Sequence, residues 1–316
     1  MLALERAGID VEKYDAFEID KYAIKVSEKN YPQIIHHGDV FDGDFTNFKG
    51  YDLLLGGSPC TYWSIAKNHR EITPDGFGGR LFMHYVRALY EAKCKWFIYE
   101  NNYSIHKDIK SFISKQLGVE PIMINSALVS AQQRKRYYWT NIPGIVQPND
   151  KGLLVQEILE SGLSWQDKSY CMKACYHPTF SDTLEKHRNT MVAEPIIIND
   201  ATRSDRFGAT MVAQPILVGY IGNSRGQGNR VYSVRGKSVC LSANGGGGGA
   251  KTGLYKIDLP DGDYIIRKLT PVEAERLQTL PDNYTAGISN TQRYKCIGNG
   301  WTVDVISHIL SFLSNS

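Results

Sequence analysis

Hydrophobic and polar positions divide the chain into an ordered first part, an irregular middle and an ordered end. Short apolar runs predict strands at 14–18, 34–40, 51–55, 96–100, 122–129 and 136–140. Between them, apolar residues at helical spacing predict an amphipathic helix over 79–93. Because strands alternate with helices, we expect a parallel sheet covered on both faces, with ligands beyond the carboxyl ends of its strands.

The middle of the chain, from about residue 146, loses this periodicity. The segment TMVAEPI at 190–196 recurs as TMVAQPI at 210–216, and five glycines at 245–249 are unsuited to any regular helix or strand. Order returns near 265, where Thr270, Pro271 and Glu273 form a capping-box pattern. A last helix follows, with apolar residues Val303, Ile306, Ile309, Leu310 and Leu313 at helical spacing.

This change in hydrophobic periodicity along the chain predicts an α/β domain that is interrupted by a smaller domain. We expect the first part of the large domain over 1–145, a loop-rich and mostly β domain over 146–262, and a return to the large domain over 263–316.

Composition narrows the class of protein. The chain has 316 residues and no apolar run long enough to span a membrane, and its start lacks the pattern of a secretory signal. Its six cysteines are too sparse for a disulfide scaffold, so we expect a reduced, soluble, cytoplasmic protein.

The net charge of +3 is small, but the basic residues are unevenly placed. No Asp or Glu occurs between Phe207 and Ile257. Basic residues in that stretch include Arg225, Arg230, Arg235, Lys237 and Lys251. The bias predicts contacts with phosphate, although a basic solvated loop explains it equally well.

Polar residues follow several predicted strands, and Cys60 is the most suggestive of them. Gly56 and Gly57 allow a sharp turn at the strand end, and Pro59 stiffens the loop before the thiol. A cysteine in such a crevice is a candidate nucleophile. Since an ordinary thiol has a pKa of about 8.5, this role requires a lowered pKa or deprotonation during attack. The alternative is a small buried hydrophobic residue.

Glu100 ends the predicted strand at 96–100, which we expect to neighbour the strand leading to Cys60. The two side chains would then share one crevice, although Glu100 is equally explained as the first solvated residue. Gln132, Arg134 and Arg136 alternate, so their side chains share one face of an extended segment. An exposed polar face would give the same pattern.

Taken together, these residues resemble the DNA (cytosine-5) methyltransferases. The matching blocks, in order, are GGSPCTYWSIA (56–66), Glu100-Asn101, the alternating Gln132, Arg134 and Arg136, RKLTPVEAERLQTLPDNY (267–284) and IGNGW (297–301). They look nearer to phage, bacterial and animal de novo enzymes than to most restriction-associated ones. The resemblance implies a Rossmann-like methyltransferase sheet that uses S-adenosylmethionine, with a smaller target-recognition domain over 146–262.

The resemblance also implies a mechanism on a cytosine flipped out of double-stranded DNA. Cys60 would attack C6, and Glu100 would hold or donate a proton at N3. Arg136 would contact O2 of the base, and Arg134 would orient Cys60 and Glu100. The activated C5 would then take the methyl group of S-adenosylmethionine.

Other roles follow from the resemblance alone. Glu18 would accept hydrogen bonds from the ribose of the cofactor and Asp39 from its adenine amino group, although ordinary helix-start chemistry explains both. The remaining cofactor contacts expected are Ile19, Val40, Gly57, Pro59, Asn299, Gly300 and Trp301. The expected DNA contacts are Ser64, Gln132, Arg225, Arg230, Arg235, Lys237 and Lys251. No metal ion is expected.

One part of the family pattern is not found. The family opens with a strand and a glycine-rich loop, whereas MLALERAGI resembles the helix after that loop, with Gly8 as its end. By ordinary element lengths, about 10–20 residues of the pattern are absent. We therefore expect either a shortened start or a DNA-binding remnant without methyl transfer; a piece supplied by another chain is a further alternative.

The expected partner is double-stranded DNA, with tRNA as a less favoured substrate. The resemblance also allows a restriction endonuclease partner and a nucleoid location in a bacterial or phage-infected cell.

Overall fold

The computed structural model describes residues 1–58, 62–63, 69–164, 167–169, 171–172, 191–195, 217–220, 230–232 and 264–313. The chain divides into two compact units. The first comprises Met1–Leu153, Cys171–Tyr176 and Ala274–Ser316, and the second comprises Leu154–Tyr170 and His177–Glu273.

The described elements alternate between strands and helices in the first unit, as predicted. Its strands are β1 (Asp15–Ala16), β2 (Ile35–His36), β3 (Leu53–Gly56), β4 (Trp96–Asn102), β5 (Ile122–Asn125) and β6 (Lys135–Thr140). The helices before residue 160 are α1 (Leu2–Arg6), α2 (Lys21–Asn30), α3 (Phe77–Ala92), α4 (Lys107–Leu117) and, in the second unit, α5 (Val155–Ile158). Towards the C-terminus follow α6 (Pro271–Leu277), α7 (Asn290–Asn299) and α8 (Val303–Leu310).

The main sheet has the strand order β3-β4-β6-β5. β3 and β4 are parallel, with Gly56 opposite Tyr99, so the strand leading to Cys60 does neighbour the strand that carries Glu100. β6 runs antiparallel to both β4 and β5. The expectation of a wholly parallel sheet is therefore wrong. A parallel crossover needs about a dozen residues or more, and the connection 126–134 is too short for one.

Helices cover both faces of this sheet. Side chains of β4 alternate, so Phe97 and Tyr99 join one buried cluster with residues of α3 and α4. Ile98, between them, joins the opposite cluster with residues of α1 and α8. The first unit therefore has three layers, with the sheet between two layers of helices. The ends of β4 and β6 lie in the middle layer.

The strands β1 and β2 form a separate parallel pair. β3 is an edge strand in the described part of the chain, and all four of its residues are partly exposed. Its side chains nevertheless pack on both faces of the sheet, Leu54 against one cluster and Leu53 and Leu55 against the other. Its outer edge borders a cavity, which is described below with the site.

Local sequence signals place the helix ends. Thr270 Oγ1 accepts from the Glu273 amide at 3.1 Å, and Glu273 Oε2 accepts from the Thr270 amide at 2.7 Å, which confirms the capping box before α6. Gly8, after α1, has a φ of 70°, a left-handed conformation that glycine adopts without strain. Asp20 caps α2 by accepting from the Tyr22 amide at 2.9 Å.

The described part of the second unit includes two antiparallel strand pairs. β7 (Met191–Pro195) pairs with β10 (Tyr264–Lys268), and β8 (Leu217–Tyr220) pairs with β9 (Arg230–Tyr232). The first copy of the repeated segment supplies β7, and the second copy lies outside the described residues. None of the helices in the described residues is long and apolar enough to cross a membrane.

A buried charge ties α6 to the segments that follow it. Glu275 is fully buried, and its Oε2 accepts from the Asn283 amide at 2.7 Å. Its Oε1 accepts from the Thr285 amide at 2.8 Å and from Arg293 Nη2 at 2.9 Å. Because an unpaired buried charge is costly, these donors make the position of Glu275 specific.

Replacing Glu275 by alanine should lower the free energy of unfolding by about 3–5 kcal/mol, because the Arg293 charge then loses its buried partner. Urea denaturation measures this quantity. The matched control is Asp282→Ala, which breaks an ion pair with Arg276 whose side chains are 48% and 31% exposed. That change should cost at most about 1 kcal/mol. Equal losses for the two variants would contradict the assignment.

Candidate active site

The loop after β3 is held at its start by two side chains of β4. Tyr99 and Asn101 are fully buried and lie on one face of the strand. Ser58 Oγ is 2.5 Å from Tyr99 Oη, and Asn101 Nδ2 donates to Ser58 Oγ at 3.3 Å. Burial raises the pKa of Tyr99 to about 12, so its hydroxyl keeps its proton at neutral pH. These contacts fix the backbone just before Pro59 and Cys60.

Pro59, Cys60 and Ser64 lie outside the described residues. The approach to them is nevertheless defined at Gly57. A Cβ atom on Gly57 would lie 3.1 Å from the Glu100 carbonyl oxygen and 3.2 Å from Glu100 Oε2. Only glycine fits here without displacing a neighbour, so the loop that leads to Cys60 starts directly against Glu100.

The Glu100 carboxylate has a donor on each oxygen. Arg136 Nε lies 2.8 Å from Oε1, and Trp301 Nε1 donates to Oε2 at 3.2 Å. Both side chains of the ion pair are 11% exposed. Asn102 lies opposite Arg136 in the antiparallel ladder, so Glu100 and Arg136 are diagonal neighbours on one face. The two donors therefore hold the carboxylate in one orientation.

Arg134 is also buried, but it does not contact Glu100. Its Nη2 donates to the Gly300 carbonyl at 2.9 Å, and both terminal nitrogens donate to the Gly298 carbonyl at 3.3 Å. Gln132, Arg134 and Arg136 are 0%, 4% and 9% exposed. The alternative that the three form an exposed polar face is therefore wrong.

Gln132 links two segments of the chain through its side chain. Its Nε2 donates to the Leu277 carbonyl at 3.1 Å, and its Oε1 accepts from the Met172 amide at 2.9 Å. The side chain has no exposed surface in this structure, and its role as a DNA contact stays a prediction.

The sequence gives no indication of the thiol that lies between the two arginines. Cys171 Sγ accepts from Arg134 Nη1 at 3.3 Å and lies 3.7 Å from Arg136 Nη2. Burial by itself raises the pKa of the Cys171 thiol, but the two positive charges and their N–H donors lower the pKa below its ordinary value. A lone cysteine far from every motif carries no signal that could have predicted this contact.

A cavity of about 820 Å³ lies between β1 and the edge strand β3. Among its lining residues are six of the expected positions or their neighbours: Glu18, Ile19, Gly38, Asp39, Val40 and Gly57. Gly57 thus borders both the cavity and Glu100.

Of the acidic residues that line this cavity, Glu18 and Asp39 each use one oxygen for a local turn. Glu18 Oε1 accepts from the amides of Ile19 and Asp20, both at 2.8 Å. Asp39 Oδ1 accepts from the Phe41 amide at 3.0 Å and caps a 3₁₀ turn, Val40–Asp42. The other oxygen of each group has no hydrogen-bond partner in the described ranges. The helix-start chemistry is therefore present, and it leaves one acceptor on each carboxylate for a ligand.

The remaining predicted residues are placed as follows. Asn299 and Gly300 follow one another at the end of α7, and neither lines the cavity. The side chains of Arg225, Arg230, Arg235, Lys237 and Lys251 all lie outside the described residues.

The sequence of the chain was compared with known proteins, and the matches are to DNA methyltransferases. The family model described as C-5 cytosine-specific DNA methylase matches residues 1–315. The chain is 26% identical to the type II methyltransferase M.HhaI of Haemophilus parahaemolyticus, over 100% of the chain and 90% of that enzyme. It is also 26% identical to the orphan methyltransferase M.SPRI of Bacillus phage SPR, over 98% of the chain and 94% of that enzyme.

A solved structure supports the fold. The methyltransferase EhMeth of Entamoeba histolytica superposes with a TM-score of 0.60 and 15% sequence identity, covering 99% of this chain and 93% of that one. At this identity the likeness concerns the architecture alone, which is that of a Rossmann-like methyltransferase.

A double-mutant cycle should show strong coupling between Glu100 and Arg136. Glu100→Ala and Arg136→Ala should each lower the free energy of unfolding by about 3–5 kcal/mol, because each leaves the other charge buried. The double variant should lose less than the sum of the two, with a coupling of about 0.5–3 kcal/mol in urea denaturation.

The control cycle uses Lys110 and Glu120, an ion pair whose side chains are 35% and 78% exposed. Their coupling should stay at or below about 1 kcal/mol. Additive losses at Glu100 and Arg136 would show that the ion pair does not hold the two side chains together.

Proposed function

The chain belongs to the C-5 cytosine-specific DNA methylase family, and we propose that it transfers a methyl group from S-adenosylmethionine to C5 of cytosine in double-stranded DNA. One observation carries this proposal. Gly57 borders the large cavity and also lies against the Glu100 carboxylate. A methyl donor in the cavity and a base on Glu100 would therefore meet at the start of the loop that leads to Cys60.

Glu100 is the group that would hold the cytosine. We expect the target base to leave the stack, because its C5 and C6 are not accessible inside a duplex. The carboxyl group would then hold or donate a proton at N3, so that the ring accepts electron density during attack. Arg136, on Glu100 Oε1 at 2.8 Å, orients that carboxylate and supplies a positive charge for O2 of the base.

Cys60 is the proposed nucleophile. Its thiolate would bond to C6 of the cytosine, and loss of the C5 proton would later expel the thiolate and restore the ring. The anchored Ser58 supports this role, because a fixed backbone before the thiol limits the positions that its sulfur can occupy. When bound, S-adenosylmethionine supplies the electrophilic methyl group that C5 accepts.

The cavity fits such a cofactor. Its volume of about 820 Å³ lies in the range of small-molecule sites. Glu18 Oε2 and Asp39 Oδ2 are the acceptors left for ribose hydroxyls and an adenine amino group. Ile19 is 72% exposed beside them, an apolar surface that a purine ring would cover. We propose these three residues and Val40 as the cofactor contacts.

The segment 146–262 is our proposed target-recognition domain. Its basic, acid-free stretch supports contacts between arginine or lysine and phosphate. The DNA contacts, the domain boundaries and a restriction endonuclease partner stay predictions. The two relatives named above include one type II and one orphan methyltransferase.

The protein should transfer labelled methyl groups from S-adenosylmethionine to unmethylated duplex DNA, and Cys60→Ala should abolish this transfer. The reason is that alanine lacks the sulfur that activates C5, while DNA binding does not depend on it. Scintillation counting measures the transfer, and fluorescence anisotropy measures DNA binding. The matched control is Cys296→Ser, because Cys296 lies on α7 and does not line the cavity.

Each alternative has its own outcome in this assay. Transfer to tRNA without transfer to DNA would identify a tRNA methyltransferase. DNA binding without any transfer would identify a DNA-binding remnant of the family. An active Cys60→Ala variant would overturn the assignment of the nucleophile.

Asp39→Asn should weaken the binding of S-adenosylmethionine while leaving the fold intact. Asparagine caps a turn as well as aspartate does, so the free energy of unfolding should change by only a few tenths of a kcal/mol. The amide nitrogen would face the donor on adenine, and the loss of a charged acceptor should raise Kd by roughly 10–100-fold in isothermal titration calorimetry.

The control is Asp44→Asn. Asp44 caps the next 3₁₀ turn by accepting from the Thr46 amide at 3.1 Å, and it does not line the cavity. It should leave the Kd for S-adenosylmethionine unchanged. The same Kd for the wild type and Asp39→Asn would limit Asp39 to its capping role.

A further inference from the structure

Cys171 joins the two buried arginines of the site. Its Sγ is 3.3 Å from Nη1 of Arg134, which immediately precedes β6, and 3.7 Å from Nη2 of Arg136, near the start of that strand. Arg134 Nη1 also donates to the Met172 carbonyl at 3.3 Å. The thiol therefore lies where the N–H groups of two guanidinium ions converge.

An ionised thiol would give Arg134 a counter-charge that no carboxylate of the described residues supplies. Glu100 pairs with Arg136, which accounts for one positive charge. Arg134 is 4% exposed, and its hydrogen-bond acceptors are the Cys171 sulfur and the carbonyls of Met172, Gly298 and Gly300. It contacts no carboxylate within the described residues. As a neutral thiol, Cys171 donates to the Met172 carbonyl at 3.5 Å; as a thiolate it would also offset the buried charge of Arg134, which is costly without a counter-ion.

The thiol also completes a continuous set of contacts around Glu100. Trp301 donates to one oxygen of Glu100, and Arg136 binds the other. Cys171 links Arg136 to Arg134, and Arg134 binds the Gly300 carbonyl, which immediately precedes Trp301. The set therefore closes on itself, and it connects the base-binding carboxylate with the end of α7.

We propose that Cys171 is a positioning residue whose thiolate balances the charges of Arg134 and Arg136 and so keeps Arg136 directed at Glu100. The proposal rests on the proposed methyl transfer to cytosine, for which Glu100 must hold the base. The thiol proton passes to solvent when the protein folds. The sulfur does not touch the substrate, so its effect on the reaction passes through Arg136.

The charge of the side chain, more than its size, should then decide activity. Cys171→Ser and Cys171→Ala should lower kcat for DNA methylation by about 10–100-fold, since a misdirected Arg136 misplaces the base. Cys171→Asp restores an anion and should recover most of kcat. The KM for S-adenosylmethionine should stay near the wild-type value in all three variants.

Cys296→Ser is the matched control, because burial raises the pKa of that thiol to about 11 and keeps it neutral, and Cys296 does not line the cavity. It should leave kcat unchanged. If Cys171→Ser keeps full activity, or Cys171→Asp is no better than Cys171→Ser at equal stability, the positioning role is wrong.

A second measurement does not depend on activity. The thiolate absorbs in the ultraviolet, so the absorbance is followed against pH in the wild type and in Cys171→Ser. The wild-type curve minus the variant curve should have its midpoint below the ordinary thiol pKa of about 8.5. A midpoint at or above that value would overturn the proposal. A wild type that methylates no cytosine would instead count against the proposed function, so the two failures are distinguishable.

Discussion

The ion pair between Glu100 and Arg136 is the interaction on which the site depends. A carboxylate with 11% exposure is stable as an anion only where donors replace the water it has lost. Arg136 and Trp301 are those donors, and they come from segments far apart in the chain. Holding this carboxylate therefore requires the sheet, the last helices and the connection between them to be in place together. The contacts that hold Glu100 in its orientation are therefore also contacts that stabilise the fold.

The antiparallel β6 is what makes this arrangement possible. In a wholly parallel sheet, the segment at 132–136 would have entered from the opposite end of β4. Because β6 runs back along β4, its first residues lie beside the last residues of that strand, and Arg136 comes next to Glu100. The short connection after β5 causes this reversal, since it cannot hold a crossover. The short connection 126–134 thus determines where Arg134 and Arg136 lie.

The cavity and the carboxylate site meet at one residue without a side chain. Gly57 borders the cavity and lies within 3.2 Å of Glu100 Oε2, measured from an ideal Cβ position. A larger residue here would require Glu100 or the loop to shift by a few tenths of an ångström. In the proposed reaction, this contact is where the methyl donor and the base would approach each other.

The sequence by itself determined the strand and helix pattern of the first unit, the capping box at Thr270 and the neighbouring positions of β3 and β4. These features rest on periodicity and short-range hydrogen bonds, which local sequence encodes. It also pointed to Glu100 and the arginines as candidates, and it left open whether they face solvent. Only the tertiary structure decided that Gln132 is buried, that β6 is reversed and that Cys171 lies between Arg134 and Arg136. These three features result from contacts between segments that are far apart in the chain. Such contacts produce no recognisable pattern in the sequence around each residue.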